Sequence, residues 1–567
     1  MQTYPTWPNL ASMMLGLARG WPRRPMLRHY RDGAWHSIAW GTFGRLAAAC
    51  ARRLRAAGVS AGDRVLIAAE NRPEYIVAET ALMAIRAVPV PAYTTNTIDD
   101  QAHLFRDSGA RAAIASTPPL AQRLVAAAQA VHGLDLLVTM EGDPPAGPTH
   151  ALRWAELVDD TAPVDDIAAE AATIPPTALA CLIYTSGTGG QPRGVMLPHR
   201  CMLSNCAGAF ELLRPLRLKD ETYLSYLPIA HAYEHTVGQF FLPSLGTEIV
   251  YSRGVEYLAS DLLTVRPTIL TAVPRVLEVI RARILNQVAR EKPWRRKLFQ
   301  TAITLGLKRV DQIPLTLTER LLDPALDRLV RAKVMSRFGG RLRAAMSGGA
   351  RLEPEIGRFF LALGLQIMQG YGQTEAGPVI SANPPDAIRI DTVGVPLAGV
   401  DLRIAQDGEI LVRGGLVMDG YWNRPRDTMA AIRDGWLHTG DIGELDGSYL
   451  RITDRKKDMI VLSGGENVSP AKIEGMLMAE TEIAQAVIAG DGRSGLSALV
   501  VPADGYDDVA VALAVNRTNL RLSVTERIRK HALVQPFTIE NGLLTPSQKI
   551  RRVLVIRANA HTLARLH

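Results

Sequence analysis

Cysteine is scarce. Cys50, Cys181, Cys201 and Cys206 are the only four in 567 residues. None forms a C-x-x-C pair, which excludes a disulfide framework and a zinc ribbon. No apolar run approaches the ~20 residues needed to span a bilayer. The start of the chain carries Pro5, Pro8 and Pro22 and no signal-peptide apolar region, so a cytoplasmic location is expected. Charge imbalance is slight: 64 Lys+Arg against 56 Asp+Glu leaves +8, too dilute over this length for a nucleic-acid partner. That excess still suits anionic small molecules or an anionic membrane surface. No internal repeat of fixed period is present. The chain is 47% hydrophobic and 21% charged, as a soluble globular protein should be, and too long for one core, so two or more domains are expected.

The first 180 or so residues alternate helical and strand patterns. Phe43 to Gly58 and Pro73 to Ile85 read as helices; Asp63 to Ala68, Arg111 to Ala115 and Leu134 to Met140 read as strands. This alternation predicts an α/β domain with largely parallel sheets. The run Ala178 to Ile183 then reads as a buried strand. It feeds Tyr184-Thr185-Ser186-Gly187-Thr188-Gly189-Gly190-Gln191-Pro192-Arg193-Gly194, where hydroxyls interleave with glycines. Glycine allows sharp turns and close backbone approach, successive N–H groups form an anion nest, and Arg193 adds a permanent charge. The stretch reads as a phosphate loop. It is not a Walker loop, because Val195 follows Gly194 where lysine is required. It is not a dinucleotide fingerprint either, because Pro192 breaks the spacing.

Further along, His231, Glu234 and His235 spell H-x-x-E-H, which opens a zinc-peptidase alternative beside a core-histidine one. Ser347-Gly348-Gly349-Ala350 and Gln369-Gly370-Tyr371-Gly372-Gln373-Thr374-Glu375 each end a strand-like run. Small residues let a flat ring approach the backbone, Tyr371 offers a stacking face, and Glu375 offers a hard oxygen of the kind Mg²⁺ takes. Asp441, in a Thr-Gly-Asp, could accept bonds from two vicinal hydroxyls. The cluster Asp454 to Asp458 suits an exposed linker. Between Arg281 and Arg309 lies a basic stretch with Trp294 and Phe299 interleaved. It reads as a solvated helical face or as a contact for an anionic membrane at its inner face.

In order and spacing these motifs resemble the adenylate-forming (AMP-binding) superfamily. Arg266-Pro-Thr…Val-Pro-Arg275-Val…Glu278 and Phe537 to Lys549 are similar to long-chain fatty acyl-CoA synthetases. The loop departs from the usual pattern at Gly189, where a threonine is common, and at Arg193, where lysine is common. The resemblance implies a large N-terminal domain, residues 1–454, of two α/β subdomains and a smaller β region. It also implies a small mobile α/β lid, residues 455–567. Residues 185–190 and 193 would hold ATP phosphates, and residues 348–350 and 369–372 would flank adenine. Thr374 would contact the AMP phosphate, and Thr185 and Glu375 would place Mg²⁺. His231 would border the acyl and phosphate sites. Asp441 would bind ribose, Arg455 ATP oxygens, and Lys457 would be the hinge. Lys549 would be the catalytic lysine, with Thr185, His231 and Glu375 also in the catalytic set. The implied reaction joins a long-chain fatty acid to coenzyme A through acyl-AMP. The alternatives are a ligase loading a carrier protein, an aryl-CoA ligase, and a non-catalytic acyl- or nucleotide-binding protein. Chain length of the acid and oligomeric state are not legible.

Overall fold

The computed structural model describes residues 3–185, 191–464, 466–545 and 549–566. It divides into two compact units. The first takes residues up to 185, 193–401 and 412–435; the second includes 402–411 and 436 onward.

Two parallel sheets organise the first unit. The smaller runs Val88–Ala92, Arg64–Ala68, Ala112–Ala115, Leu136–Thr139 and His150–Arg153, all parallel. The helices between them start and stop on local chemistry. In Ile98–Ser108, Thr97 and Asp100 form a capping box and Gly109 closes the end at φ +68°. Pro73 opens the helix Pro73–Ala84. The strands Val88–Ala92 and Leu179–Thr185 share one apolar cluster through Val90, Ala92, Leu182 and Tyr184.

The larger sheet has nine strands among the described residues. Its centre is parallel: Pro25–Arg31, Glu248–Tyr251, Thr222–Ser225, Ile269–Ala272, Ala344–Ser347 and Gln366–Gly372. Antiparallel strands close both edges, Ala34–Ala39 on one side and Val379–Ala382 with Val395–Pro396 on the other. A third, antiparallel sheet pairs Leu179–Thr185 with Arg193–Pro198 and then Gly420–Tyr421.

In the second unit a long hairpin, Trp436–Asp446 with Tyr449–Arg455, precedes a small α/β body. There Ile483–Ala489 pairs antiparallel with Leu496–Pro502, which pairs parallel with Ile528–Leu533. The helices Pro470–Met478 and Asp508–Asn519 contribute to one apolar cluster, and Phe537, Val555 and Leu563 to another.

The fold is therefore the α/β architecture expected, with a large N-terminal part and a small C-terminal α/β part. The predicted strands at 63–68 and 111–115 appear within a residue of their limits, and the one at 134–140 is shorter, Leu136–Thr139. All four cysteines are buried free thiols.

Candidate active site

The phosphate-loop candidate begins where the apolar strand Leu179–Thr185 runs out. The returning strand starts at Arg193, which pairs with Thr185 across the hairpin. Ser186, Gly187, Thr188, Gly189 and Gly190 lie outside the described residues. Arg193 is held from two sides. Its guanidinium sits over the Tyr421 ring, 4.1 Å from the centroid, and Nη1 lies 3.7 Å from the Asp427 carboxylate.

The second and third motifs end neighbouring parallel strands, and Ser347 pairs in register with Gln369. Ligands of open α/β sheets bind beyond such carboxyl ends. Three buried polar atoms there have no hydrogen-bond partner among the described residues: Ser347 Oγ, Gln369 Oε1 and Gln373 Nε2. Leaving such atoms unsatisfied costs about 1–3 kcal/mol each, so they mark a place for a polar ligand or water. At Gly348 a Cβ would stand 3.3 Å from the Tyr233 ring, a tight fit, and the Tyr233 hydroxyl donates to Met346 O at 3.0 Å. Gly372 differs from the expectation of room for a ring. A Cβ there would meet Pro378 O at 2.0 Å, so the bulged pairing with Val379–Ala382 excludes it. Tyr371 is 9% exposed, Gly349 and Ala350 are exposed, and Gly370 is half-buried.

Thr374 and Glu375 follow in a short 3₁₀ turn, Thr374–Ala376. Glu375 is half-buried; its Oε1 accepts from the Tyr421 hydroxyl at 2.8 Å, and its main-chain oxygen accepts from Met418 N–H at 3.0 Å. No group of three or more His, Cys, Asp or Glu side chains forms a metal cage among the described residues. One carboxylate, with a threonine hydroxyl nearby in sequence at position 374, fits an ion that takes its other ligands from phosphate and water, as Mg²⁺ does.

His231 is half-buried, and its Nδ1 accepts from the Tyr233 N–H at 3.2 Å. Glu234 opens a π-helix, Glu234–Phe241, and is wholly buried. Its carboxylate accepts from Ser225 at 2.7 Å, Gln239 at 3.0 Å and the Tyr223 hydroxyl. Burial, offset by these donors, pushes its carboxyl up to about 7. His235 Nε2 lies 2.5 Å from Glu79 Oε1, both side chains fully buried. The zinc-peptidase alternative needs His231 and His235 on one ion with a further ligand; here His235 Nε2 is engaged by the buried Glu79, and among the described residues no group of three His, Cys, Asp or Glu could hold a metal.

In the second unit, Asp441 pairs in register with Arg455 and is 3% exposed. Arg455 Nε donates to Asp441 Oδ1 at 3.0 Å, so the ribose and ATP-oxygen candidates stand side by side. Lys457 is exposed in the turn that follows. Its neighbour Lys456 is committed to Asp407 at 2.6 Å and Glu409 at 3.0 Å. Lys549 is exposed beside the Leu544–Ile550 bridge; Thr545 N–H donates to Lys549 O at 2.8 Å and Lys549 N–H to Thr545 Oγ1 at 3.0 Å.

Thus Thr185 and Arg193 meet across one hairpin, and Glu375 meets the same Arg193 through Tyr421. Residues 347–350 and 369–372 end adjacent strands. Asp441 and Arg455 meet across a second hairpin. Tyr421 and Asp427 were missed. No local spacing announces a partner 46 residues away at Glu375.

Two sheets with parallel centres, whose strand ends carry buried polar atoms without partners among the described residues, define an α/β fold of the kind that takes ligands at those ends. A family profile described as "AMP-binding enzyme" matches residues 17–422, and one described as "AMP-binding enzyme C-terminal domain" matches residues 457–564. The chain belongs to the AMP-binding enzyme family. It is 33% identical to the long-chain-fatty-acid–CoA ligase FadD15 of Mycobacterium tuberculosis over 96% of this chain and 95% of that one. It is 28% identical to the long-chain-fatty-acid–[acyl-carrier-protein] ligase AEE15, chloroplastic, of Arabidopsis thaliana over 89% of this chain and 79% of that one. Among solved structures it shares the fold of a benzoate CoA ligase from Burkholderia xenovorans LB400, with TM-score 0.74, 22% identity, and 96% and 99% of the two chains covered.

Proposed function

We propose that this protein activates a long-chain fatty acid with ATP and transfers it to coenzyme A. The observation that carries the reading is the 33% identity to FadD15 over 96% of the chain, together with the ordered site motifs. In the first step a carboxylate oxygen attacks the α-phosphorus of ATP, and pyrophosphate leaves. In the second the coenzyme A thiol loses its proton and attacks the acyl carbon, and AMP leaves. Mg²⁺, held by Glu375 and Thr185, would offset phosphate charge. Residues 186–190, Arg193 and Thr374 would orient the phosphates, residues 347–350 and 369–373 the base, and His231 the acyl end. Asp441 would accept from the ribose hydroxyls beside Arg455. The domain division at 454/455, with a hinge at Lys457 and Lys549 on the moving part, belongs to this proposal. The identity to AEE15 keeps a second acceptor in view, the thiol of an acyl carrier protein.

Pyrophosphate release over a panel of acids, with coenzyme A, with carrier protein and with neither, tests the reading. Each added CH₂ in an apolar tunnel contributes about 0.8 kcal/mol, roughly fourfold in affinity. The expected kcat/KM climbs steadily from medium-chain to long-chain acids. A maximum at benzoate or acetate would overturn the long-chain assignment, and thioester formed only on carrier protein would overturn coenzyme A as acceptor.

We also propose peripheral contact with an anionic membrane surface. No helix among the described residues is long and apolar enough to cross a membrane. Phe299 turns inward against Phe359, so of the two aromatics in the basic stretch only Trp294, 56% exposed, offers a surface. The next helix, Leu317–Leu326, adds Leu317 and Leu321 at 79% and 83% exposure. Its acids are paired: the half-buried Glu319 with Lys308, and the buried Asp323 with Arg309 and Arg331. That leaves Arg320 beside the leucines. Sedimentation with anionic vesicles is expected at low ionic strength and release at 1 M salt, where the screening length is about 3 Å. Equal binding to neutral vesicles would remove the electrostatic contact.

A further inference from the structure

Tyr421 stands outside the residues assigned so far, yet it touches two of them. It lies on the short strand Gly420–Tyr421, with Tyr421 opposite Val195 of the strand that Arg193 begins. Thr428 Oγ1 holds its N–H at 2.9 Å, and the residue is 5% exposed. One face of the ring carries the Arg193 guanidinium at 4.1 Å; the hydroxyl donates to Glu375 Oε1 at 2.8 Å. Three residues earlier, the Met418 N–H donates to the Glu375 main-chain oxygen at 3.0 Å. A single stretch therefore fixes Glu375 at its backbone and at one carboxylate oxygen.

The chemistry of this arrangement is directional. A phenol is protonated at neutral pH, and the Tyr421 hydroxyl is placed as a donor to the carboxylate. A carboxylate with one oxygen held by a phenol cannot rotate freely, and its other oxygen keeps a fixed aim. Arginine suits the ring better than lysine would: its planar fork lies flat on the aromatic face, while Asp427 draws its other side.

We propose that Tyr421 is a positioning residue for Glu375. It spends one carboxylate oxygen so that the other is aimed at the metal of the metal–nucleotide complex, and the stacked Arg193 couples that aim to the phosphate loop. This rests on the reading of Glu375 as a metal-holding residue. It accounts for arginine at position 193 as part of the device, not merely as a tolerated substitute for a loop cation.

The test uses Mn²⁺ with α,β-methylene-ATP, which cannot be cleaved at the reacting bond. Binding to the full chain is measured by Mn²⁺ paramagnetic resonance, in parallel with binding of the metal-free analogue in chelator. Loss of a charge-assisted hydrogen bond predicts that Tyr421→Phe weakens the Mn²⁺ complex roughly tenfold. Metal-free binding should stay within about twofold, and the thermal midpoint should hold. Arg193→Ala should weaken the Mn²⁺ complex as well. The double variant should lose less than the product of the two, because the residues act through one contact. Arg193→Ala reads the same coupling even if Tyr421→Phe folds poorly. Unchanged Mn²⁺ affinity in Tyr421→Phe, or equal loss with and without metal, would overturn the proposal. Glu375→Gln separates the two layers. If it leaves Mn²⁺ affinity intact, the metal reading of Glu375 falls; if it weakens Mn²⁺ binding while Tyr421→Phe does not, only the positioning role falls.

Discussion

Lys549→Ala is expected to slow acyl-adenylate formation by on the order of 10²–10³, the usual effect of removing one preorganised donor from a charge-building step. The same variant, given preformed acyl-adenylate and coenzyme A, is expected to form thioester at a nearly normal rate. The reasoning starts from the two reactions. Negative charge gathers on the phosphates in the first, whereas the second needs a path for a thiol to the acyl carbon. A cation exposed on the second unit can serve the first step and withdraw for the other. Lys457→Pro should give the converse pattern, because fixing φ at the proposed hinge hinders the swivel. Rapid-quench measurement of each half-reaction decides it. Equal impairment of both half-reactions by Lys549→Ala would remove the separate role of this lysine, and with it the moving lid.

The second large effect is on stability. Glu234→Ala leaves the Ser225 and Tyr223 hydroxyls and the Gln239 amide without their buried acceptor. The cost should be roughly 3–5 kcal/mol. The wild-type protein should also show a pH signature. The folded carboxyl is raised from 4.5 to about 7, so between those values the folded state binds more protons than the unfolded one. Stability therefore falls as pH rises through this window, by about 3 kcal/mol in total. Glu234→Gln, which cannot ionise, should flatten that fall. Denaturant unfolding of the first unit at pH 5 and pH 8 checks both. If wild type and Glu234→Gln shift in parallel, Glu234 is not the source of the slope.

Much of the architecture was legible because it rests on local signals. Short apolar runs marked the strands, and the hydroxyl-glycine stretch after Ile183 marked a loop; that Arg193–Pro198 returns beside Leu179–Thr185 came with the structure. What escaped depends on contacts distant in sequence. The Glu79–His235 pair spans 156 residues, and each member alone looks like any other acid or histidine. Gly372 was read for room it would give a ligand, when Pro378 O of the adjoining strand is what excludes a side chain. Phe299, set among arginines, packs inward, while Leu317 and Leu321, spaced like a core face, point to solvent. Which side of a helix is covered depends on its neighbours, and a single sequence does not state it. At the candidate site Glu375, Asp441 and Arg455 were readable, but Tyr421 and the contacts from Tyr421 to Glu375 and from Arg455 to Asp441 came only with the fold.

The buried cysteines carry a chemical consequence. An acyl-adenylate is a mixed anhydride and acylates any thiolate it meets, while coenzyme A can form mixed disulfides with accessible thiols. Cys50, Cys181, Cys201 and Cys206 are all enclosed, and burial pushes the thiols of Cys201 and Cys206 up to about 12. None presents a nucleophile at neutral pH. An enzyme that makes such an anhydride and consumes a thiol is thereby spared self-acylation at cysteine, and its native surface is a thiol-free background for attaching a label to one introduced cysteine on each unit.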